Sequence, residues 1–329
     1  MACRRFWFLV YPDISKPIGG VKQIHRVAES ISSCGHDVVL VQDKADFHPQ
    51  WFLSSLPTTD RHHWLRTALN PATDVVVLPE TFLPMLPDLK PGIPKIIFNQ
   101  NGAYSFGTLG RRFVQPSQVA NFYGHSDVSQ VWCVSFHDRR LLTLGLGLSS
   151  QRVKLLINGL EPQFTAKGEK HLQVAYMPRK NPHDSNVVLA MLMRQPWWKG
   201  WSFQEISNCS QDQVIQHLQR SLVFLSFGHP EGFGLPVAEA MACGCAVVGY
   251  TGLGGRELFS LAAQYKAAFP VEFGDWFGCV DGIQRIHQAL QYRRDDFLHQ
   301  LDAMASAVRD RYSVKALRSS VLEALHSLD

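Results

Sequence analysis

Glu231-Gly-Phe-Gly-Leu-Pro-Val-Ala-Glu239-Ala-Met-Ala-Cys-Gly244 is the chemically densest stretch of the chain. An apolar run over residues 221–226 leads into a glycine-rich turn and then a helix over residues 235–243. Pro236 is predicted at the first helical position, where its missing N–H costs little, and Gly244 stops the helix. Gly232 and Gly234 let the backbone come close to a ligand. The free N–H groups of Phe233, Gly234 and Leu235, with the positive end of the helix dipole, make an anion site. Glu231 precedes the helix and Glu239 lies about one turn inside it; eight helical residues span about 12 Å, enough to touch two parts of one extended molecule. Taken alone, the two acids also read as a solvated pair favoured by the helix dipole.

Outward from this stretch the chain alternates strands and helices. Residues 6–11 are an apolar run with the character of a strand covered on both faces. Gly19-Gly20 follows, then a helix over 21–34 closed by Gly35. Strands are predicted at 37–41, 74–78, 95–98, 130–134 and 152–157, and Asn158-Gly159 breaks the pattern. Residues 161–170, polar and punctuated by Pro162 and Gly168, read as a linker. The grammar then restarts, with strands at 172–176, 201–206, 221–226 and 246–250 and helices at 186–193, 210–220, 235–243 and 280–290. A long helical stretch over 296–328 closes the chain. Strand–helix alternation of this kind implies a parallel doubly wound sheet. Two domains are therefore expected, residues 1–160 and 171–329, with the last helix able to pack back on the first.

Bulk properties agree. At 329 residues the chain exceeds what one core usually serves, and 46% hydrophobic with 18% charged residues is ordinary globular composition. The net charge of +4 is uneven: residues 1–160 carry 16 Lys+Arg against 11 Asp+Glu, residues 161–329 carry 16 against 17. Arg4-Arg5, Arg111-Arg112 and Arg139-Arg140 hold the excess. It reads as solvated surface or, more sharply, as a face for an acidic acceptor, a lipid phosphate or peripheral membrane contact. No Lys/Arg run is dense enough for nucleic acid. The seven cysteines include no C-x-x-C and fit free thiols in a reducing, cytoplasmic setting. Residues 6–11 are too short for a signal peptide core, and no apolar window is long enough to span a membrane. The fourteen histidines show no H-E-x-x-H or H-x-H spacing, so no metal ligands are expected.

The region 228–257 resembles glycosyltransferase family 4 and its GT-B relatives. It shares their Glu–seven residues–Glu signature, the Gly-Phe-Gly-Leu-Pro turn, Glu-Ala-Met-Ala-Cys-Gly, and a glycine turn followed by a Glu in Thr251-Gly-Leu-Gly-Gly-Arg-Glu257. Weaker echoes are Gly19-Gly20, Gly35-His36-Asp37-Val38 and Ile157-Asn158-Gly159. The resemblance implies two Rossmann-like domains facing across a cleft and a retaining, metal-independent sugar transfer from a nucleotide-sugar to a glycan, lipid-linked or small-molecule acceptor. It implies that Glu231 contacts the transferred sugar and Glu239 the ribose. Phe233, Gly234 and Leu235 would offer their amides to the sugar and phosphates, and Gly19 and Gly20 would approach the diphosphate.

The residues support the phosphate part independently. Cleaving a sugar–phosphate bond leaves charge that needs preorganised donors or a metal. No Asp-x-Asp occurs, so cations must come from side chains and no cofactor is expected. Arg179-Lys180 follows the first strand of the second half, at the carboxyl edge where α/β sheets bind ligands; Lys199 is the substitute, and Asn208 ends a strand near the expected base. Family members carry a His after the fourth strand, where this chain has Asn99-Gln100-Asn101. An amide such as that of Asn101 bonds a sugar hydroxyl but is no base near pH 7. The departing phosphate oxygen would then help to deprotonate the acceptor. A catalytically silent GT-B subunit is the rival reading. An epimerase or phosphorylase has less support, and a dehydrogenase lacks its G-x-G-x-x-G.

Overall fold

The structure is a computed structural model and describes residues 3–10, 12–13, 15, 17–107 and 113–328. The chain forms two units, Met1–Gly159 with Lys315–Asp329, and Leu160–Val314.

The first unit is built on seven parallel strands: β1 (Arg5–Leu9), β2 (Asp37–Gln42), β3 (Thr58–Asp60), β4 (Asp74–Pro79), β5 (Lys95–Asn99), β6 (Val128–Cys133) and β7 (Val153–Leu155), in the order β3-β2-β1-β4-β5-β6-β7. Its helices are α1 (Gly19–Ser32), α2 (Arg61–Arg66), α3 (Pro116–Tyr123) and α4 (Phe136–Arg140). The central strands are apolar throughout because helices cover both faces. Trp7, Leu9, Val76, Leu78, Ile97 and Val131 form one buried cluster. Tyr11, at the expected end of the first strand, and the pair Arg111-Arg112 lie outside the described residues. Of the other basic residues, Arg5 pairs with Asp37 at 3.2 Å and Arg4 donates to the carbonyl of Leu328, so part of the basic excess is held locally.

The second unit has five parallel strands: β8 (His171–Tyr176), β9 (Ser202–Glu205), β10 (Ser221–Ser226), β11 (Ala246–Tyr250) and β12 (Ala268–Val271), in the order β12-β11-β10-β8-β9. Its helices are α5 (Pro182–Leu192), α6 (Gln211–Arg220), α7 (Leu235–Ala242), α8 (Arg256–Ala263) and α9 (Trp276–Arg311), the last broken at Arg293. Ser210 caps α6 in a capping box with Gln213, satisfying two orphan amides at once. α5 starts four residues earlier than expected because Pro182 supplies its first turn. Likewise α7 starts at Leu235, so Pro236 takes the second position rather than the first.

One boundary differs from the sequence expectation. Residues 161–170 are part of the second unit: Phe164 is buried, and the Lys170 ammonium donates to the carbonyls of Leu218, Ser221 and Cys243. The stretch is polar and punctuated as a linker would be, but its lysine closes carbonyls at the ends of α6 and α7. The final helix, α10 (Val314–His326), joins the first unit from Lys315 onward. There Gln130 donates to the Ala324 carbonyl, and the Ile157 amide donates to Ser320 Oγ.

No helix among the described residues is long and apolar enough to cross a membrane. All seven cysteines are free; Cys133, Cys243, Cys245 and Cys279 are buried.

Leu317 of α10 is fully buried, so Leu317→Ala should lower the stability of the first unit by about 2–5 kcal/mol, the usual cost of such a cavity. Urea unfolding followed by a probe in that unit measures it; no change would mean α10 is dispensable to the unit.

Candidate functional site

Both sheet orders contain a topological switch point, where consecutive connections leave in opposite directions and the strand ends splay into a crevice. In the second unit it falls between β8 and β10, and the residues of the 231–244 stretch gather there. The loop after β10 carries Glu231, whose amide donates to the Gly252 carbonyl at 2.7 Å while its carbonyl accepts from the Gly254 amide at 3.0 Å. Gly234 ends the loop in the left-handed region, with φ of 92°, and no side chain caps α7. The Leu235 amide, the first of the helix, therefore has no intrahelical acceptor and points at whatever sits before the helix. Glu239 is buried just over one turn in. Phe233 is buried edge-on against Tyr312, ring centroids 5.1 Å apart.

The loop after β8 supplies the opposite charge. Lys180 Nζ lies 3.0 Å from Glu231 Oε1, both side chains about one-fifth exposed, and it also donates to the Pro230 carbonyl. Asn181 ties the two loops together by donating to the Phe227 carbonyl at 2.6 Å. Arg179, next to it in the chain, is exposed. Lys199 is exposed at the amino end of β9. The strands being parallel, that is the opposite edge of the sheet from Lys180, and Lys199 is not brought to the site. Asn208 is exposed at the carboxyl edge, after β9, with φ of 53°.

Glu257 accepts from the Tyr312 hydroxyl at 3.0 Å, a structural partnership. Trp198 stacks on Phe203 and Trp201, with 4.6 and 5.7 Å between centroids. Among the described residues no group of three or more His, Cys, Asp or Glu could hold a metal ion.

The first unit has its switch point between β1 and β4. Gly19 and Gly20 open α1 after β1, without a side-chain cap. A Cβ on Gly20 would stand 3.0 Å from Gln100 Oε1, so Gln100, not Asn101, lies on the glycine loop. Asn101 is buried and its side chain caps its own short turn by accepting from the Ala103 amide. That turn is held by Glu80, at the end of β4, whose carboxyl oxygens accept from the amides of Gln100 and Asn101 at 2.9 and 3.1 Å. Behind it Asp138 accepts from Asn99 Nδ2 and the Gly102 amide, and Tyr123 donates to Asn99 Oδ1. Glu80 and Lys180's pairing with Glu231 were missed in the sequence. The only signal for Glu80 was an acid at a strand's carboxyl end.

Two parallel doubly wound units of this kind make a GT-B fold of the glycosyltransferase type. Residues 203–293 match the family model for glycosyl transferases group 1. Among solved structures the chain is similar to sucrose-phosphate synthase from Thermosynechococcus elongatus, with a TM-score of 0.73, 12% identity and 99% of each chain covered. It is also similar to Anabaena HepE in complex with UDP and glucose, with a TM-score of 0.70 and 13% identity over 98% of this chain and 100% of that one. A curated relative, an alpha-1,6-glucosyltransferase of Actinobacillus pleuropneumoniae serotype 7 (strain AP76), is 23% identical over 238 residues. That match covers 69% of this chain and spans 65% of the relative's length.

Burial raises the Glu80 pKa from 4.5 to about 8, outweighing the two amides that favour its ionised form. A carboxyl whose pKa is higher in the folded state binds more protons there, so its contribution is complete below about pH 4.5 and is lost as pH rises through about 8. The wild-type protein should lose stability across that window, and Glu80→Gln should flatten the loss. Equal slopes in urea titrations at pH 5, 6.5 and 8 would show that Glu80 is not the group involved.

Proposed function

We propose that the chain is a retaining, metal-independent glycosyltransferase of family 4. It would move a hexosyl or deoxyhexosyl unit from a nucleotide-sugar to a glycan, lipid-linked or small-molecule acceptor, in cytoplasmic polysaccharide or envelope synthesis. The observation that carries this is the arrangement at the β8–β10 switch point. One glycine-rich turn holds a carboxylate and an uncapped helix start, and the loop after β8 sets an ammonium 3.0 Å from that carboxylate.

The parts match the needs of the reaction. The bond between the anomeric carbon and the phosphate oxygen breaks, and the acceptor oxygen bonds to the same face of that carbon. The acceptor's proton passes to the departing phosphate oxygen. The leaving diphosphate gains charge as this happens, and donors that are already oriented stabilise it without reorganising. The amides at Phe233–Leu235 and the Lys180 ammonium are such donors, with exposed Arg179 free to swing in. Glu231 orients the sugar through its hydroxyls, and buried Glu239 receives the ribose. Most of the rate then comes from positioning and leaving-group stabilisation. The similarity to structures holding UDP with glucose, and ADP with acarbose, supports a nucleotide-sugar donor.

The competing reading is a subunit that binds a nucleotide-sugar without turning it over, favoured by Gln100 standing where a base would otherwise lie. Donor hydrolysis and transfer with UDP-, GDP-, TDP- and ADP-sugars, with and without EDTA, separates the two. Glu231→Ala should lower turnover about 10²–10³-fold, as loss of a charge-stabilising contact does. Glu239→Ala should weaken nucleotide binding about 10-fold or more, the worth of a hydrogen bond to a charged group, and EDTA should change neither. Nucleotide binding without turnover would establish the silent subunit, and full activity in both variants would sink the site.

A further inference from the structure

The loops after β10, β11 and β12, with one face of α8, line an open cavity of about 420 Å³ in the second unit, within the about 300–1,000 Å³ usual for small ligands. It lies apart from the donor residues assigned above, and the sheet order explains why. β11 and β12 stand on one side of β10, while β8 and β9 stand on the other. Arg179, Lys180 and Asn208 follow β8 and β9. Tyr250 ends β11, Arg256 opens the helix after it, and Phe273 follows β12. Between them is the β10 loop with Glu231, whose backbone bridges to Leu253 at the cavity's edge. A molecule with its nucleotide on the β8–β9 side and its sugar at Glu231 leaves the cavity beyond the sugar.

The floor is aromatic and braced. Phe273 is 55% exposed, stacks on His229 with centroids 4.4 Å apart and planes at 20°, and meets Tyr250 edge-on at 5.2 Å. The Tyr250 hydroxyl is fixed by donating to Asp184 Oδ2 at 2.8 Å. Around the platform stand Arg256, Ser260 and Glu272, all exposed. Burial, then Lys180 and Arg256, hold the His229 pKa below its ordinary value, against Glu231, so near neutral pH its ring offers one donor and one acceptor. One arginine and one glutamate cancel, leaving no surplus positive charge for a phosphate or carboxylate ligand. An apolar platform ringed by hydrogen-bonding groups of both kinds suits a pyranose ring. The ring's C–H face packs on the phenylalanine, and its vicinal hydroxyls span the planar ends of Arg256 and Glu272.

We propose that this cavity binds a neutral saccharide unit on the acceptor side of Glu231, so that the acceptor is itself a glycan. The inference rests on the glycosyl-transfer reading for its placement in the reaction. The binding itself is independent of that reading.

Isothermal titration of the full chain with maltotriose, cellotriose and tri-N-acetylchitotriose tests it. At least one should bind, and Phe273→Ala and Arg256→Ala should each weaken binding about 10-fold or more. Both positions are exposed, and circular dichroism confirms that the variants fold. Absence of binding to the wild-type chain, or unchanged affinity in both variants, overturns the proposal. Displacement of the bound saccharide by a nucleoside diphosphate also overturns it, since the cavity would then belong to the donor. Thermal shift with the nucleotide-sugars runs in parallel. If none stabilises the protein while the saccharide result holds, the donor reading fails and the saccharide site stands.

Discussion

Two backbone hydrogen bonds hold the reactive edge of the second unit: Glu231 N–H to Gly252 O and Gly254 N–H to Glu231 O. They form only because position 254 lacks a side chain, since a Cβ there would fall 1.8 Å from the Gly232 carbonyl oxygen. The bridge joins the loop after β10 to the loop after β11, which fixes where the Glu231 carboxylate stands. The uncapped amide of Leu235, the Lys180 ammonium and the saccharide cavity are all defined relative to that loop. A flexible loop would have to order on binding, at about 1–2 kcal/mol per residue of backbone, and the bridge removes much of that cost beforehand.

The same principle is used twice with different chemistry. In each unit the strand order reverses, and the crevice at the reversal collects loops from non-adjacent parts of the chain. In the second unit the crevice has charge of both signs near the surface. In the first it has a glycine loop with Gln100 against it, braced from behind by buried acids and amides. Glu80 and Asp138 accept from backbone amides and Asn99 rather than reaching outward. They act as positioning residues, setting the backbone of the 100–102 turn.

The central strands were readable because burial on both faces leaves uninterrupted apolar runs, as in 74–78 and 221–226. Elements that depend on partners were not. β3 is three residues of Thr58, Thr59 and Asp60, a polar edge with no run to see. The nine-residue 3-10 segment Glu80–Asp88 contains Pro84 and Pro87, which read as loop. At the site, the glycine turn, helix start and two acids were legible because one contiguous motif encodes them. Lys180 was legible too, as a cation at the carboxyl end of β8, though its pairing with Glu231 was not. Arg179 beside it is exposed, and Lys199 adjoins β9 at its amino end, which a sequence pattern does not separate from the carboxyl end. Asn101 lies in the same turn as Gln100, but only the fold shows that Gln100 is the residue against Gly20.

The Lys180–Glu231 pair gives the proposed donor site a physical basis for discrimination. With no donor bound, each partner satisfies the other, and both are mostly withdrawn from water. Removing one partner from such a pair leaves a desolvated charge, which costs more than the pair itself contributes. A nucleoside diphosphate alone would draw Lys180 to its phosphates and leave Glu231 unpaired. A complete nucleotide-sugar returns hydroxyl donors to the carboxylate at the same time. On the proposed reading the site would therefore favour the intact donor over the product nucleotide, by an amount set by how well sugar hydroxyls replace the ammonium at Glu231. The same competition would promote release: once the sugar had left for the acceptor, Lys180 would be drawn back to Glu231 and its hold on the diphosphate would loosen.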